Sequence, residues 1–166
     1  LDRRRAWSRQ ALTTALRAGH AELAAGRPAL AAVTRAITVL EDDPTFNAGR
    51  GAVFTHDGRN ELDASLMDGA TQRAGAVAGV QRVRNPILLA QAVMEHSPHV
   101  MMVGQGAEAF AAEQGVTLVD PSYFHTDKRW QQLQRALDEE RAGTAHADLE
   151  TARHFGTVGA LARDAQ

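Results

Sequence analysis

A glycine followed by a threonine stands at Gly156-Thr157, where a long polar stretch gives way to an apolar run. Most threonines in such a setting are structural. A cut between the two residues would change that, because Thr157 would then carry a hydroxyl nucleophile and its own free amine. An α-amino group titrates at about 7.7–8.0, so much of it can act as a base near neutral pH and take the hydroxyl proton. Glycine ahead of the cut lets the backbone strain until the hydroxyl reaches the Gly156 carbonyl. Spacing alone does not separate this reading from the structural one.

The other candidates are weaker. Asn47-Ala48-Gly49-Arg50-Gly51 has a Gly-x-Gly core, but no strand precedes it and no third glycine opens a helix, so it makes a poor phosphate loop. As a tight backbone loop it could present carbonyl oxygens to a small hard cation. His96 and His99 stand three apart, yet Pro98 breaks the helix between them and no third ligand lies in a fitting pattern, so they are not read as a metal site. His20, His56, His125 and His146 read as surface residues. Asp63 with Asp68, or Asp42 with Asp43, could do acid–base work. They match no calcium loop, and Asp63 as a turn cap or arginine partner is the stronger reading.

These residues need elements to hold them. Helical spacing predicts a helix over Arg3–Ala25, from Ala6, Trp7, Gln10, Ala11, Thr14, Ala15 and Ala18, and a second from Pro28 to about Glu41 along Leu30, Val33, Ile37 and Leu40. Ala52–Thr55 reads as a short strand turned back at Asp57-Gly58 into a second strand over Asn60–Met67, with Leu62, Ala64 and Leu66 on one face. Ala74–Val80 is a small-residue strand whose glycines predict a close neighbour. Asn85-Pro86 opens a helix to about His96, apolar nearly all round and therefore buried. A short apolar run at His99–Val103, a helix over Gly106–Gln114, an extended Val116–Val119 and a helix over Arg129–Leu137 follow. Asp138–His154 is polar and without period, a surface loop or linker. Thr157–Leu161 reads as the start of a strand. Helices, strands, helices and then a strand make a layered α+β fold.

Composition narrows the classes further. The 166 residues suit one domain or part of one. They are 44% apolar, enough for a packed core. Basic residues number 18 against 20 acidic, which argues against nucleic-acid binding through bulk positive charge. There are no cysteines, so disulfides, thiolate zinc sites and thiol nucleophiles are excluded. Aromatics make up only 5%, too few for a stacking platform. No apolar run approaches the roughly 20 residues of a membrane helix. The chain opens on Leu1 rather than methionine, so a leader is left open and the sequence is read as a portion of a longer protein. A cytoplasmic location is the default expectation.

Several segments in order form a longer pattern. They are Leu40-Glu41 with Pro44, Phe46 to Gly51, Glu61 to Gly69, Ala74 to Val80, Arg84-Asn85-Pro86-Ile87, Ser97-Pro98-His99-Val100 and Gly156-Thr157-Val158-Gly159. Together they resemble the plant-type L-asparaginase / isoaspartyl peptidase family of N-terminal-nucleophile hydrolases, across roughly the whole chain. The resemblance implies a precursor with a four-layer αββα fold that cuts itself before a threonine, here Thr157. Residues 1–156 would be the α-subunit portion, with 139–156 its flexible linker, and 157–166 the start of the β subunit. The two subunits would stay together, commonly as a dimer of such pairs. The Thr157 hydroxyl would attack Gly156 in maturation, then the side-chain amide of L-asparagine or the isoaspartyl bond of a β-aspartyl dipeptide. No cofactor is implied for catalysis. A structural sodium ion is implied, held by backbone carbonyls that map onto Leu40, Glu41, Asp43, Phe46, Ala48 and Arg50. Asn47 would lie near the nucleophile and help arrange the scissile segment.

The departures from the family pattern are at the ends. The opening strand with its His-Gly-Gly segment does not appear ahead of Leu1. The second active-site threonine, the Arg and Asp that grip substrate, and the Thr-Gly oxyanion pair do not appear before Gln166. Losing oxyanion donors alone costs about 10²–10³ in rate, so these residues by themselves are expected to be inactive, while the parent is an active hydrolase. The competing expectation is a non-catalytic truncated remnant or interaction module.

Overall fold

A computed structural model describes residues 2–143 and 158–165. The chain is α+β, as the sequence predicts. Its first two helices, α1 (Asp2–Ala24) and α2 (Ala29–Glu41), lie against each other as one layer. Small residues let them approach. Ala11, Ala15 and Gly19 recur every four positions on α1, and a Cβ at Gly19 would press on the Ala32 carbonyl of α2. Pro28 sits just ahead of α2, one position before the helical turn where it was expected.

Three strands form one sheet in the order β1 (Leu62–Met67), β2 (Ala74–Val80), β3 (Met101–Val103). The β1–β2 pair is antiparallel and β2–β3 is parallel. A register shift between Leu62 and Ala64 is held by Asp63, whose Oδ1 accepts from Gly79 N at 2.8 Å while Gly79 sits at φ 64°. Leu62, Leu66, Val77 and Val80 turn to one face, where helix α3 (Pro86–His96) covers them. Gly75 is the contact that permits this: a Cβ there would overlap the Ala90 carbonyl oxygen and the Met94 backbone. The glycine-rich strand thus has the close neighbour its sequence predicts. Helix α4 (Gly104–Glu113) packs beside β2, burying Ala107 and Ala111.

The opposite face of the sheet is open. Asp63, Ser65 and Met67 from β1 lie there with Ala76, Ala78, Met101 and Val103. Met67 is 61%, Met101 53% and Val103 60% exposed, far from what a finished apolar face shows.

Four expectations about the elements need correction. Ala52–Thr55 is not a strand. Around the Asp57-Gly58 turn Thr55 N bonds Arg59 O at 2.7 Å and Gly58 N bonds Thr55 O at 3.0 Å, and the pairing goes no further into a ladder. The returning strand begins at Leu62 rather than Asn60, because Asn60 is buried and spends its side-chain amide on the Ala52 and Val53 carbonyls at 3.0 and 3.1 Å. The last described helix, α5, runs Asp127–Arg141 rather than stopping at Leu137. No glycine or proline interrupts it before Gly143, which takes φ 67°. Finally, the expected strand over Thr157–Leu161 is not seen where it is described: residues 158–161 have no ladder partner and run as irregular chain. An apolar run becomes a strand only beside another strand.

Candidate functional site

The turn after α2 carries most of the candidate residues. Asp43 Oδ1 accepts from Thr45 N at 2.8 Å and bends the chain out of the helix. The backbone then closes a 3₁₀ turn at Gly49–Gly51, with Gly51 N bonded to Ala48 O at 3.0 Å and Ala52 N to Gly49 O at 3.1 Å. Gly49 takes φ 47°, and a Cβ on it would collide with the Glu41 carbonyl. A Cβ on Gly51 would collide with the carbonyls of Phe46 and Pro44. The loop is therefore wound so tightly that its own carbonyl oxygens face positions where no side chain can stand.

Asn47 is fixed within this loop. Its Oδ1 accepts from Val53 N at 2.9 Å, which sets the amide orientation and turns Nδ2 away from that bond. Among the described residues Nδ2 has no partner. The chain that Val53 belongs to is held from behind: Asn60 takes the Ala52 and Val53 carbonyls, and Arg129 Nε donates to the Gly51 carbonyl at 2.8 Å.

Glu41 closes the far side. Only 3% exposed, its Oε1 accepts from Ile87 N at 3.0 Å, in the first turn of α3, where free N–H groups and the helix dipole favour a carboxylate. Its Oε2 is buried with no partner. Burial pushes the carboxyl up to about 8, against the opposing pull of the Ile87 N–H and the Asn85 amide, with Asp42 adding a smaller upward push. At neutral pH it is therefore largely a neutral acid. Outside it, Asp42 accepts from Arg84, from Asn85 Nδ2 at 3.3 Å and from the Tyr123 hydroxyl at 3.2 Å, and both Arg50 and Arg84 lie over the Tyr123 ring.

Beside the loop lies a cleft of about 1240 Å³. It takes in all of β1, Ala74 to Ala78 and Met101, so much of it is the open face of the sheet, and it reaches the Asn47-Ala48-Gly49 segment, Glu41 and Ile87. Val158, Gly159, Ala160, Leu161 and Ala162 line it too. Asp164 Oδ2 then accepts from Ala29 N at 2.7 Å, tying this segment to the start of α2. Gly156 and Thr157 lie outside the described residues.

The chain can be set beside known proteins. A sequence model described as asparaginase matches residues 1–166. The chain belongs to the asparaginase family. Among curated relatives, an isoaspartyl peptidase of Salmonella typhimurium is 52% identical over 93% of this chain and 50% of its own length. A plant-type L-asparaginase of Pyrococcus abyssi is 50% identical over 74% of this chain and 40% of its own. A human isoaspartyl peptidase/L-asparaginase is 41% identical over 93% of this chain and 49% of its own. The chain spans about half the length of the curated relatives it matches.

The family's motif segments in this chain thus fall into two groups. Asn47-Ala48-Gly49, Glu61–Gly69, the residues after Thr157, and Glu41 and Ile87 meet at the cleft, whereas Ser97–Val100 stands outside it and Ala74–Val80 reaches it through Ala74 to Ala78. Of the carbonyl set, Leu40 O already accepts from Asp43 N at 3.3 Å and Ala48 O from Gly51 N at 3.0 Å. The other candidates scatter. Asp68 closes the β1–β2 turn, where the Thr71 hydroxyl and the Ala70 N–H hold it below its ordinary value. His56 bonds Glu140 at 3.1 Å, which raises it. His146 lies outside the described residues. Among those described, no three His, Asp or Glu side chains are grouped to hold a metal ion, and no helix is long and apolar enough to cross a membrane.

The sequence does not single out the buried side chains of Asn60, Arg129, Thr34 or Glu41, the last of which is expected to act through its carbonyl alone. No local signal marks Arg129. For Asn60, a polar amide just before an alternating strand was the available hint.

Proposed function

We propose that the whole protein is a self-processing threonine amidohydrolase that releases L-aspartate from isoaspartyl dipeptides and from L-asparagine. What carries this reading is one observation: the residues that follow Thr157 line the same cleft as Asn47 and its loop. A new amino terminus at Thr157 would stand one residue from Val158, at the head of that segment. The family relatives named isoaspartyl peptidase and L-asparaginase supply the substrate class.

Two rounds of the same chemistry follow. In maturation the Thr157 Oγ attacks the Gly156 carbonyl carbon, the peptide C–N bond breaks, and an ester links Gly156 to the Thr157 side chain. Water cleaves that ester and leaves Thr157 with a free amine. In turnover the amine takes the proton from Oγ, which attacks the substrate's side-chain carbonyl. The proton passes to the leaving group, ammonia or the α-amine of the next residue, and water then frees aspartate from the acyl-enzyme. Asn47, held by Val53 N, would donate Nδ2–H bonds to the scissile segment or to oxygen that becomes negative, an interaction worth about 10²–10³ in rate at sites of this kind.

A sodium ion in the loop belongs to the same reading. The carbonyls of Leu40, Glu41, Asp43, Phe46, Ala48 and Arg50 would hold it. The donor set fits: hard oxygen ligands suit a hard cation, and the Glu41 and Phe46 carbonyls face the spaces that side chains on Gly49 and Gly51 would fill. Its part would be to brace the loop, with no step of the reaction passing through it. The open face of the sheet, with Met67, Met101 and Val103 exposed, supports a second sheet packed there from the β subunit, giving the four-layer αββα arrangement and, by family habit, a dimer of αβ pairs. Residues 1–156 would then form the α-subunit portion.

The test uses the whole protein. Mass spectrometry is expected to find two pieces, one beginning at Thr157, and the matured protein is expected to release aspartate from a β-aspartyl dipeptide. Thr157→Ala should leave one uncut, inactive chain. A wild type that stays whole and releases no aspartate would return the protein to the class of non-catalytic remnants.

A further inference from the structure

The buried guanidinium of Arg129 has no role in the reaction above. It is 5% exposed, and among the described residues both its side-chain partners are neutral: the Gly51 carbonyl through Nε and the Gln132 side chain at 3.1 Å through Nη1. Burial pushes it below its ordinary value. Burying a guanidinium without a carboxylate is costly, and docking a helix does not require it. Leu133, one turn along α5, docks the same helix with an apolar contact. The charge is therefore spent on the carbonyl it holds.

That carbonyl is the first of three in a row gripped by buried side chains. Arg129 takes Gly51 O, and Asn60 Nδ2 takes Ala52 O and Val53 O. With those three fixed, the Val53 N–H points at Asn47 Oδ1 at 2.9 Å. We infer that Arg129 is a positioning residue: by clamping the Gly51 carbonyl it aims the Val53 N–H, and hence the Asn47 amide. This rests on the reading of Asn47 and Gly156-Thr157 given above.

The experiment compares Arg129→Gln, Arg129→Lys and Leu133→Ala in the full-length protein. Leu133→Ala loosens α5 and leaves the clamp intact, so it reports what mere destabilisation does. Two quantities are read: the first-order rate of cleavage at Gly156-Thr157 and amide hydrogen exchange at Val53, in native conditions. A charged hydrogen bond of this type is worth roughly tenfold or more. Arg129→Gln is expected to slow cleavage and speed Val53 exchange by about that factor beyond Leu133→Ala. Arg129→Lys, which keeps a donor but loses the fork, should recover much of both. Should Arg129→Gln fail to fold, Arg129→Lys against Leu133→Ala makes the same comparison, with a smaller expected effect. Val53 exchange no faster than in Leu133→Ala overturns the inference. Because exchange is measured whether or not the chain is cut, an uncut wild type would sink the proposed function while the role of Arg129 is still decided.

Discussion

Gly75 and Gly51 are the same residue type under the same geometric demand, and they do different things. At each, a Cβ would drive into a backbone carbonyl, that of Ala90 at Gly75 and that of Phe46 at Gly51. Around Gly75 the packing is mainly apolar: α3 lies on β2, and Val77, Ala90, Val93 and Met94 fill the space, with the Arg73 guanidinium on the Met94 carbonyl at its edge. Around Gly51 the contacts are polar and directional, from Arg129, Asn60 and the turn's own amides. The missing side chain serves density in one region and the aim of carbonyls in the other. Damage at the first should spread through the whole fold, and damage at the second should stay local and fall on function.

The sharpest break of this contrast is Gly75→Ala. The clash is with backbone, so relief requires α3 to move, and a loss near the top of the usual overpacking range, about 3 kcal/mol, is expected in urea unfolding. Gly51→Ala should cost less globally, about 1–2 kcal/mol, yet slow self-cleavage more than Gly75→Ala does per folded molecule. Equal effects of the two on cleavage would erase the distinction.

A graded test lies at Glu41. The folded carboxyl titrates near 8 against an ordinary 4.5, so between those values the folded protein holds a proton that the unfolded chain has released. The contribution of Glu41 to stability is then greatest below about 4.5, falls as pH rises, and levels off above about 8. The slope is on the order of 1 kcal/mol per pH unit at most. Glu41→Gln, neutral throughout, should flatten it, as thermal unfolding across that range would report. A slope unchanged in the glutamine variant would mean that another group sets it.

Smaller effects follow. Asn47→Ala leaves Val53 N without its acceptor and should cost about 1 kcal/mol in unfolding experiments, with faster exchange at that one amide. Asp68→Ala should do least. Asp68 is held below its ordinary value by the Thr71 hydroxyl and Ala70 N–H, so its small stabilisation is present above pH 3.8 and fades as pH falls through the lowered value. In thermal melts at neutral pH this variant should stay close to wild type, and a large drop would show that the turn matters more than its exposure suggests.

How far the sequence told this in advance depends on whether the signal was local. Helix α3 was legible because apolar residues surround it and Asn85-Pro86 marks its start. The close neighbour of β2 was legible from the glycines of Ala-Gly-Ala-Val-Ala-Gly-Val, though only Gly75 has one, and Gly79 instead takes a positive φ at the register shift. The Asp57-Gly58 turn misled because a turn signal says nothing about what its flanks will pair with. Here the flank that should have paired is held by Asn60 side-chain bonds instead. The parallel pairing of Met101–Val103 with β2 was invisible, since three apolar residues name no partner. Helix α5 beyond Leu137 looked like a loop because its exposed surface is polar all round, and only the absence of a breaker before Gly143 argued otherwise. The loop at Phe46–Gly51 was found by its glycines, but the groups that hold it come from Asn60 and Arg129, far along the chain, where charge and burial meet only after folding.

The hydrogen bond from Ala29 N to Asp164 joins positions 135 residues apart. It fastens the stretch after Val158 to the head of α2 by a link other than the peptide chain, so the two ends of the described molecule meet where α2 begins. One such bond is worth only about 1 kcal/mol, a tether that sets direction more than strength.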